Sequence, residues 1–146
     1  MRFRGATVED ADALVDLWHR CGLGFRSEDV RVELASVLAR DPELVIVAED
    51  ENGLVASVFG AYDGRRAWVN RLATRPDRRG HGLGRELMRR LEEALQAKGC
   101  LKLNLLVQNS NAEVIGFYRA MGYVSDDVTF LGKRLDAAQT RSSYER

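Results

Sequence analysis

Three glycines at alternate positions form the segment of this sequence whose spacing most clearly indicates chemistry. Gly80, Gly82 and Gly84 lie between a predicted strand and a predicted helix, and Arg79 and Arg85 flank them. Glycine allows the backbone to turn tightly, and a helix N-terminus adds free N–H groups and the positive end of the helix dipole. N–H groups that converge in this way bind phosphate. The segment therefore predicts a phosphate-binding loop; a glycine turn that binds no ligand is the alternative.

Two common phosphate-binding patterns do not fit this loop. The dinucleotide pattern G-x-G-x-x-G, started at Gly80, requires a third glycine where the chain has Arg85. The Walker pattern requires Gly-Lys-Ser/Thr, whereas Gly84 is followed by Arg85 and Glu86. A different kind of anion site is needed to explain the glycines.

The positive charge of the chain is concentrated around this loop. The chain has 22 Lys+Arg and 22 Asp+Glu, but residues 71–90 contain seven arginines and two acidic residues, which is 7 − 2 = +5. A local cationic patch in a neutral protein favours a compact anionic ligand, with a solvated helix face as the alternative interpretation. The zero net charge argues against a general nucleic-acid-binding protein.

Length and composition predict one α+β domain. The chain has 146 residues, of which 45% are hydrophobic, so it can bury a core without disulfides. It has no apolar run of about 18 residues, and its first 16 residues are charged throughout, so we expect neither a membrane segment nor a secretory signal. Two cysteines make no disulfide framework, which favours a cytoplasmic protein. His19 and Cys21 lack further ligands nearby, so no metal site is expected.

Hydrophobic periodicity and turn residues predict the elements that carry the loop. They are a strand at 2–6, helices at 8–19 and 27–41, strands at 44–48, 54–62 and 67–74, a helix at 83–98, a strand at 101–107, a helix at 112–121, and closing strands from residue 123 that include 128–135. The strands at 44–74 form an antiparallel meander. The long helix has leucines at steps of four, at 83, 87, 91 and 95.

Two segments resemble the GNAT superfamily of N-acetyltransferases. Residues 79–84, Arg-Gly-His-Gly-Leu-Gly, match its R/Q-x-x-G-x-G/A signature. Residues 111–118 and 121–123 match its N-x-x-A-x-x-F-Y…G-F/Y segment, with Val114 in place of alanine. The chain is most similar to small bacterial stand-alone members, including the ribosomal-protein-acetyltransferase-like group. The resemblance implies one GNAT domain over residues 1–135, followed by a polar, frayed tail at 136–146.

The resemblance also implies a fold and a cofactor site. The expected sheet is mixed and mostly antiparallel, with six to seven strands and about four flanking helices. Its strands four and five separate, and acetyl-CoA, the co-substrate, binds in the gap. The residues implied in cofactor binding are Leu72, Ala73, Thr74, Arg79, Gly80, His81, Gly82, Leu83, Gly84, Arg85 and Asn111.

The implied reaction is direct attack of a primary amine on the thioester of acetyl-CoA. Tyr118 occupies the position of the family's acid, which protonates the departing thiolate; a core aromatic is the alternative role. Family members often have a glutamate on strand four or five, where this chain has Trp68 and Leu106. Neither side chain accepts a proton, so the sequence leaves the general base unassigned.

The resemblance further implies that the acceptor amine enters between residues 20–28 and 125–129. Glu28, Asp126 and Asp127 are the candidate acceptor-binding residues there, and a solvated turn is the alternative for the two aspartates. A small-molecule amine and a protein or peptide amine both remain open as acceptor, and a homodimer is possible. Nucleic-acid and membrane partners are not expected.

A non-catalytic acyl-CoA sensor on the same fold is the main alternative function, suggested by the missing base, and a nucleic-acid-binding domain using the arginines is a weaker one.

Overall fold

The computed structural model describes residues 1–136. It divides into two compact units: Met1–Leu23 with Ser27–Leu106, and Gly24–Arg26 with Val107 onward. The predicted single domain over 1–135 stays a prediction. Residues 137–146 of the predicted tail lie outside the described residues.

The first unit contains a five-stranded mixed sheet. Its strands are β1 (Arg2–Gly5), β2 (Val45–Asp50), β3 (Gly53–Tyr62), β4 (Ala67–Thr74) and β5 (Leu103–Asn104). They lie in the order β1-β2-β3-β4-β5, with the first four antiparallel and β5 parallel to β4. The predicted meander of β2, β3 and β4 is confirmed.

Three helices belong to the same unit, α1 (Ala11–Arg20), α2 (Val30–Arg40) and α3 (Leu83–Ala97). The four leucines of α3 are buried, as their spacing predicts. Leu91 lies against β3, because a Cβ added at Gly60 would lie 2.5 Å from its Cδ1 atom. On the other face of the sheet, Trp18 of α1 packs edge-on against Phe59, with ring centroids 5.4 Å apart.

The second unit is built around α4 (Ala112–Ala120). Asn111 caps this helix by accepting a hydrogen bond from the Val114 N–H at 3.3 Å. Tyr118 is buried, and its ring packs edge-on against Phe117 and Tyr123 with centroid distances of 5.1 and 5.5 Å.

The prediction of six to seven strands is wrong for the described residues. The segment 123–136 forms no strand there, although it has the apolar residues that suggested one. Val128, Leu131 and Leu135 are exposed. A strand needs a neighbouring backbone to pair with, and an apolar pattern alone does not supply it. The predicted strand at 101–107 is likewise reduced to Leu103–Asn104.

Candidate active site

A gap opens between β4 and β5 in the first unit. The two strands pair only at Ala67 with Leu103 and at Trp68 with Asn104. Beyond these pairs β4 continues to Thr74 without a partner on β5. The β4 edge over residues 69–74 therefore offers backbone groups that an extended ligand could pair with, as an added strand does.

A β-bulge distorts β4 at the start of this gap. The register with β3 places Val58 opposite two residues, Arg71 and Leu72. Arg71 has a φ of +55°, and within residues 1–136 no other non-glycine residue has a positive φ. The left-handed region costs an L-residue with a Cβ roughly 1–2 kcal/mol, so surrounding contacts must maintain this conformation.

The side chains of Ser57, Glu33 and Trp18 contact Arg71. Ser57 Oγ donates to the Arg71 carbonyl at 2.8 Å and accepts from Trp18 Nε1 at 3.0 Å. The guanidinium donates to both carboxylate oxygens of Glu33, at 2.9 and 3.1 Å, and lies 4.7 Å from the centre of the Trp18 ring. We call Trp18, Glu33, Ser57 and Arg71 the bulge network. None of these four residues was predicted as functional from the sequence; the available signal was Ser57, a small polar residue in a mostly apolar strand.

The glycine loop lies between the end of β4 and the start of α3. Gly80 and Gly82 have φ of +83° and +78°, and Gly82 occupies the position before the first helical residue. The N–H groups of the first turn, from Leu83 to Arg85, have no carbonyl within the helix to pair with. The loop thus has the left-handed glycines and the free helix N-terminus that phosphate binding requires.

Carboxylates neutralise most of the arginines around the loop. The ion pairs are Arg71–Glu33, Arg75–Asp77, Arg75–Asp50, Arg78–Asp50, Arg89–Glu86, Arg89–Glu93 and Arg90–Glu86. Hydrogen bonds from Arg89 lower the pKa of Glu86 to about 2. Over residues 1–136, no carboxylate pairs with Arg79 or Arg85, so these two guanidinium groups remain available to an anion.

The end of β4 holds Arg79 in place. Arg79 Nε donates to the Thr74 carbonyl at 3.2 Å, and the Arg79 guanidinium also hydrogen-bonds the Cys21 side chain. The Cys21 thiol donates to the same carbonyl at 3.3 Å, and burial raises the pKa of this thiol. Asp50 holds the preceding turn through Arg78; its pKa is lowered chiefly by a hydrogen bond from the Asn52 N–H and further by Arg78.

The predicted site residues are divided between the two units. The first unit brings together Leu72–Thr74, the loop with His81, and the first turn of α3. Glu28 lies exposed in a short 3-10 turn before α2. The second unit carries Asn111 and Tyr118 on α4, and the exposed pair Asp126 and Asp127.

The positions where the family often has a base hold apolar side chains on the surface. Trp68 is 40% exposed and Leu106 is 39% exposed. Asn70, also on β4, is exposed and polar but not basic.

In the described part of the chain, no group of three or more His, Cys, Asp or Glu side chains could hold a metal ion. None of its helices is long and apolar enough to span a bilayer.

Comparison with known proteins identifies the family. The model of the Acetyltransferase (GNAT) family matches residues 11–123, which include the loop, the bulge and α4. The chain belongs to the GNAT family of acetyltransferases. An acetyltransferase of Yersinia enterocolitica is 40% identical over 135 residues, covering 92% of this chain and 96% of that protein.

Solved structures of other proteins share the fold of this GNAT acetyltransferase. An acetyltransferase from Agrobacterium tumefaciens superimposes with a TM-score of 0.74 and 24% identity, covering 92% of this chain and all of the other. The PaiA N-acetyltransferase from Thermoplasma acidophilum, solved in complex with coenzyme A, gives a TM-score of 0.74 at 19% identity and covers 88% and 92% of the two chains.

Proposed function

We propose that this protein transfers the acetyl group of acetyl-CoA to a primary amine by direct attack of the amine on the thioester. One observation carries the proposal. Within one unit, the β4 edge that has no β5 partner leads directly into the glycine loop, beside which Arg79 and Arg85 are not paired with a carboxylate in the described residues. The coenzyme A in the PaiA structure and the GNAT family match support acetyl-CoA as the donor. The β4 edge suits the pantetheine arm of acetyl-CoA, and the glycine loop suits its pyrophosphate.

The extended arm and the phosphates need different partners. The backbone of Leu72, Ala73 and Thr74 pairs with the amide-containing pantetheine arm, as an extra strand would. The N–H groups of residues 79–84, including His81 and Leu83, and the guanidinium groups of Arg79 and Arg85 bind the pyrophosphate. Asn111 is assigned to the cofactor on its motif position alone, because its side-chain oxygen already caps α4.

The chemical step requires a donor for the carbonyl and a proton for the leaving group. The amine first loses a proton to water, and its neutral nitrogen then bonds to the thioester carbon while a β4 backbone N–H stabilises negative charge on the oxygen. The C–S bond then breaks, the nitrogen loses a second proton to water, and the thiolate gains one. Tyr118 is the proposed acid: a phenol can deliver this proton through a short hydrogen bond, although its ordinary pKa is about 10.

The acceptor is proposed to be cationic in its resting form. Glu28, Asp126 and Asp127 are acidic, so they attract protonated amines. A protein or peptide amine of the kind used by the ribosomal-protein-acetyltransferase-like group and a small-molecule amine are both compatible with them. Alanine variants of the three acids test this assignment through the acceptor KM and the pH profile of kcat/KM. If all three profiles superimpose on wild type, the acceptor binds elsewhere.

The donor site is tested by acetyl-CoA binding, measured by calorimetry and by the rise in Tm that a ligand of the folded state produces. We expect Arg79→Ala and Arg85→Ala each to weaken binding about tenfold, because a hydrogen bond to a charged group contributes roughly 1.5–3 kcal/mol and 1.4 kcal/mol is tenfold in Kd. Arg89→Ala is the matched control, since Glu86 and Glu93 already hold Arg89 on the same helix. Equal affinities for all three variants would contradict the phosphate assignment.

Turnover separates an enzyme from a sensor. We expect release of free coenzyme A when acetyl-CoA is mixed with members of a panel of peptide N-termini, lysine peptides, polyamines and aminoglycosides. Binding of acetyl-CoA without release for any amine class would favour the acyl-CoA sensor. A loss of binding with rising salt and no preference for coenzyme A would instead favour a nucleic-acid ligand.

A further inference from the structure

The bulge in β4 is held by side chains from three other elements, and this points to a catalytic purpose for them. We propose that the bulge network aims the backbone N–H of Leu72 at the thioester carbonyl, with Arg71 as the central positioning residue. This inference rests on the proposed acetyl-transfer function. It assigns to four side chains a task that the glycine loop does not perform.

The backbone conformation at Arg71 is not stabilised by the residue's own preference. Arg71 has a Cβ and a φ of +55°, a conformation that L-residues avoid and that glycine adopts freely. Nothing local favours it, because Arg71 is neither glycine nor asparagine. Such a residue stays in place only where its surroundings over-determine it, and these residues cluster at functional sites.

Ser57 fixes the carbonyl of Arg71. Ser57 is fully buried, and its oxygen accepts the Trp18 indole N–H. Because a hydroxyl has a single proton, that proton is directed to the Arg71 carbonyl, 2.8 Å away. The indole therefore orients the hydroxyl, and the hydroxyl orients the peptide.

The Arg71 side chain is fixed as well. Its guanidinium is 10% exposed and makes two hydrogen bonds to Glu33, which is 34% exposed. One face of the guanidinium lies over the Trp18 ring. A two-point pair sheltered from water holds its geometry more firmly than an exposed single contact.

The same peptide carries the hydrogen-bond donor proposed for the thioester carbonyl. The Arg71 carbonyl and the Leu72 N–H belong to one planar trans peptide, in which the two groups point in opposite directions. Since the carbonyl points to Ser57 on β3, the Leu72 N–H points away from β3, toward the edge from which β5 has separated. Fixing the carbonyl therefore fixes a hydrogen-bond donor in the gap, where a thioester oxygen needs one.

The experiment measures polarisation of the thioester directly and needs no acceptor. Acetyl-CoA labelled with ¹³C at the acetyl carbonyl is bound to the protein, and its carbonyl stretch is recorded by isotope-edited infrared difference spectroscopy. A hydrogen bond from Leu72 lowers this frequency relative to free acetyl-CoA. We expect Ser57→Ala and Arg71→Ala to lose at least half of that lowering, with acetyl-CoA Kd within about threefold of wild type.

A glycine variant separates positioning from ordinary stability. Glycine accepts the bulge conformation without a side chain to hold it, so Arg71→Gly should retain more of the frequency lowering than Arg71→Ala. If the Arg71 side chain contributed only to overall stability, folded Arg71→Ala with acetyl-CoA bound would lower the frequency as much as wild type does. The matched control is Arg31→Ala, which breaks the exposed Arg31–Asp12 pair between α2 and α1 and leaves β4 untouched.

The outcomes distinguish this inference from the function on which it rests. If wild type fails to bind acetyl-CoA, the proposed function is wrong. If wild type binds and lowers the frequency, but Arg71→Ala and Ser57→Ala lower it equally, the network does not position the donor. If either variant fails to fold, Glu33→Gln decides by the same measurement, since it removes one charge at a partly exposed position on α2. With an identified acceptor, the kcat of Arg71→Ala should fall about tenfold or more.

Discussion

Gly82 provides a direct test of the phosphate-binding loop. Its φ of +78° and ψ of +11° place it in the left-handed region, and a Cβ added there would meet no atom within 4 Å. The whole effect of Gly82→Ala on the free protein is therefore backbone strain of roughly 1–2 kcal/mol. For a domain of this size, that corresponds to a Tm lower by about 3–6 °C.

The same substitution should weaken acetyl-CoA binding about tenfold or more. Alanine relieves part of the strain by rotating the neighbouring peptides, which turns at least one N–H away from the phosphate, and a hydrogen bond to a charged group contributes roughly 1.5–3 kcal/mol. The assay is acetyl-CoA titration by calorimetry together with thermal unfolding of the free protein.

Two further variants isolate the cause. Gly64→Ala introduces alanine at a φ of +96° in the turn after β3, again with no atom within 4 Å, so it should lower Tm similarly and leave the acetyl-CoA Kd unchanged. Gly82→Asn should recover part of both losses, because asparagine tolerates the left-handed region. A Gly82→Ala protein with the expected drop in Tm and wild-type affinity would refute the assignment of the loop to phosphate.

Four more variants have expected outcomes. Tyr118→Phe should keep the acetyl-CoA Kd and lower kcat about tenfold or more; unchanged turnover with the true acceptor would make Tyr118 a core aromatic. Gly60→Ala should destabilise by about 1–3 kcal/mol through its clash with α3, whereas Gly116→Ala, exposed in α4, should stabilise by roughly 0.5–1 kcal/mol, both measured by urea unfolding. Hydrogen bonds from Arg4 lower the pKa of Asp10, so this carboxylate stabilises the fold above its ordinary pKa, and the stability is lost as pH falls through the lowered value. The Tm deficit of Asp10→Asn should therefore be largest near pH 7 and shrink below about pH 4; a pH-independent deficit would contradict this.

The elements with a strong local pattern could be predicted from sequence. The strand at Ala67–Thr74 has the predicted bounds, and α3 starts at Leu83 as predicted, because the glycine loop and the leucine periodicity both indicate that start. β5 was predicted too long, since residues 101–107 look like a strand but pair with β4 only at two positions. The number of residues that pair is set by the path of the neighbouring strand, which a local pattern does not contain.

The bulge network could not be predicted in this way. Arginine has no preference for the left-handed region, so position 71 reads as an ordinary strand residue. Its conformation is held by Glu33 and Ser57, which lie 38 and 14 positions away in the sequence and on other elements. Contacts of this kind become visible only when the fold brings the elements together, and they tend to occur where local preference is overridden for function.

Charge counting along the sequence also misses which arginines are available. The excess of +5 between residues 71 and 90 predicted a local cationic patch, but Glu33, Asp50 and Glu93, all outside that stretch, pair with arginines inside it. What remains is a pair of guanidinium groups, Arg79 and Arg85, next to a helix N-terminus. Two localised charges beside converging N–H groups suit a pyrophosphate, whereas a nucleic-acid backbone is bound by positive charge spread along a surface. The ion pairs therefore favour a donor nucleotide over a polyanion as the ligand of this loop.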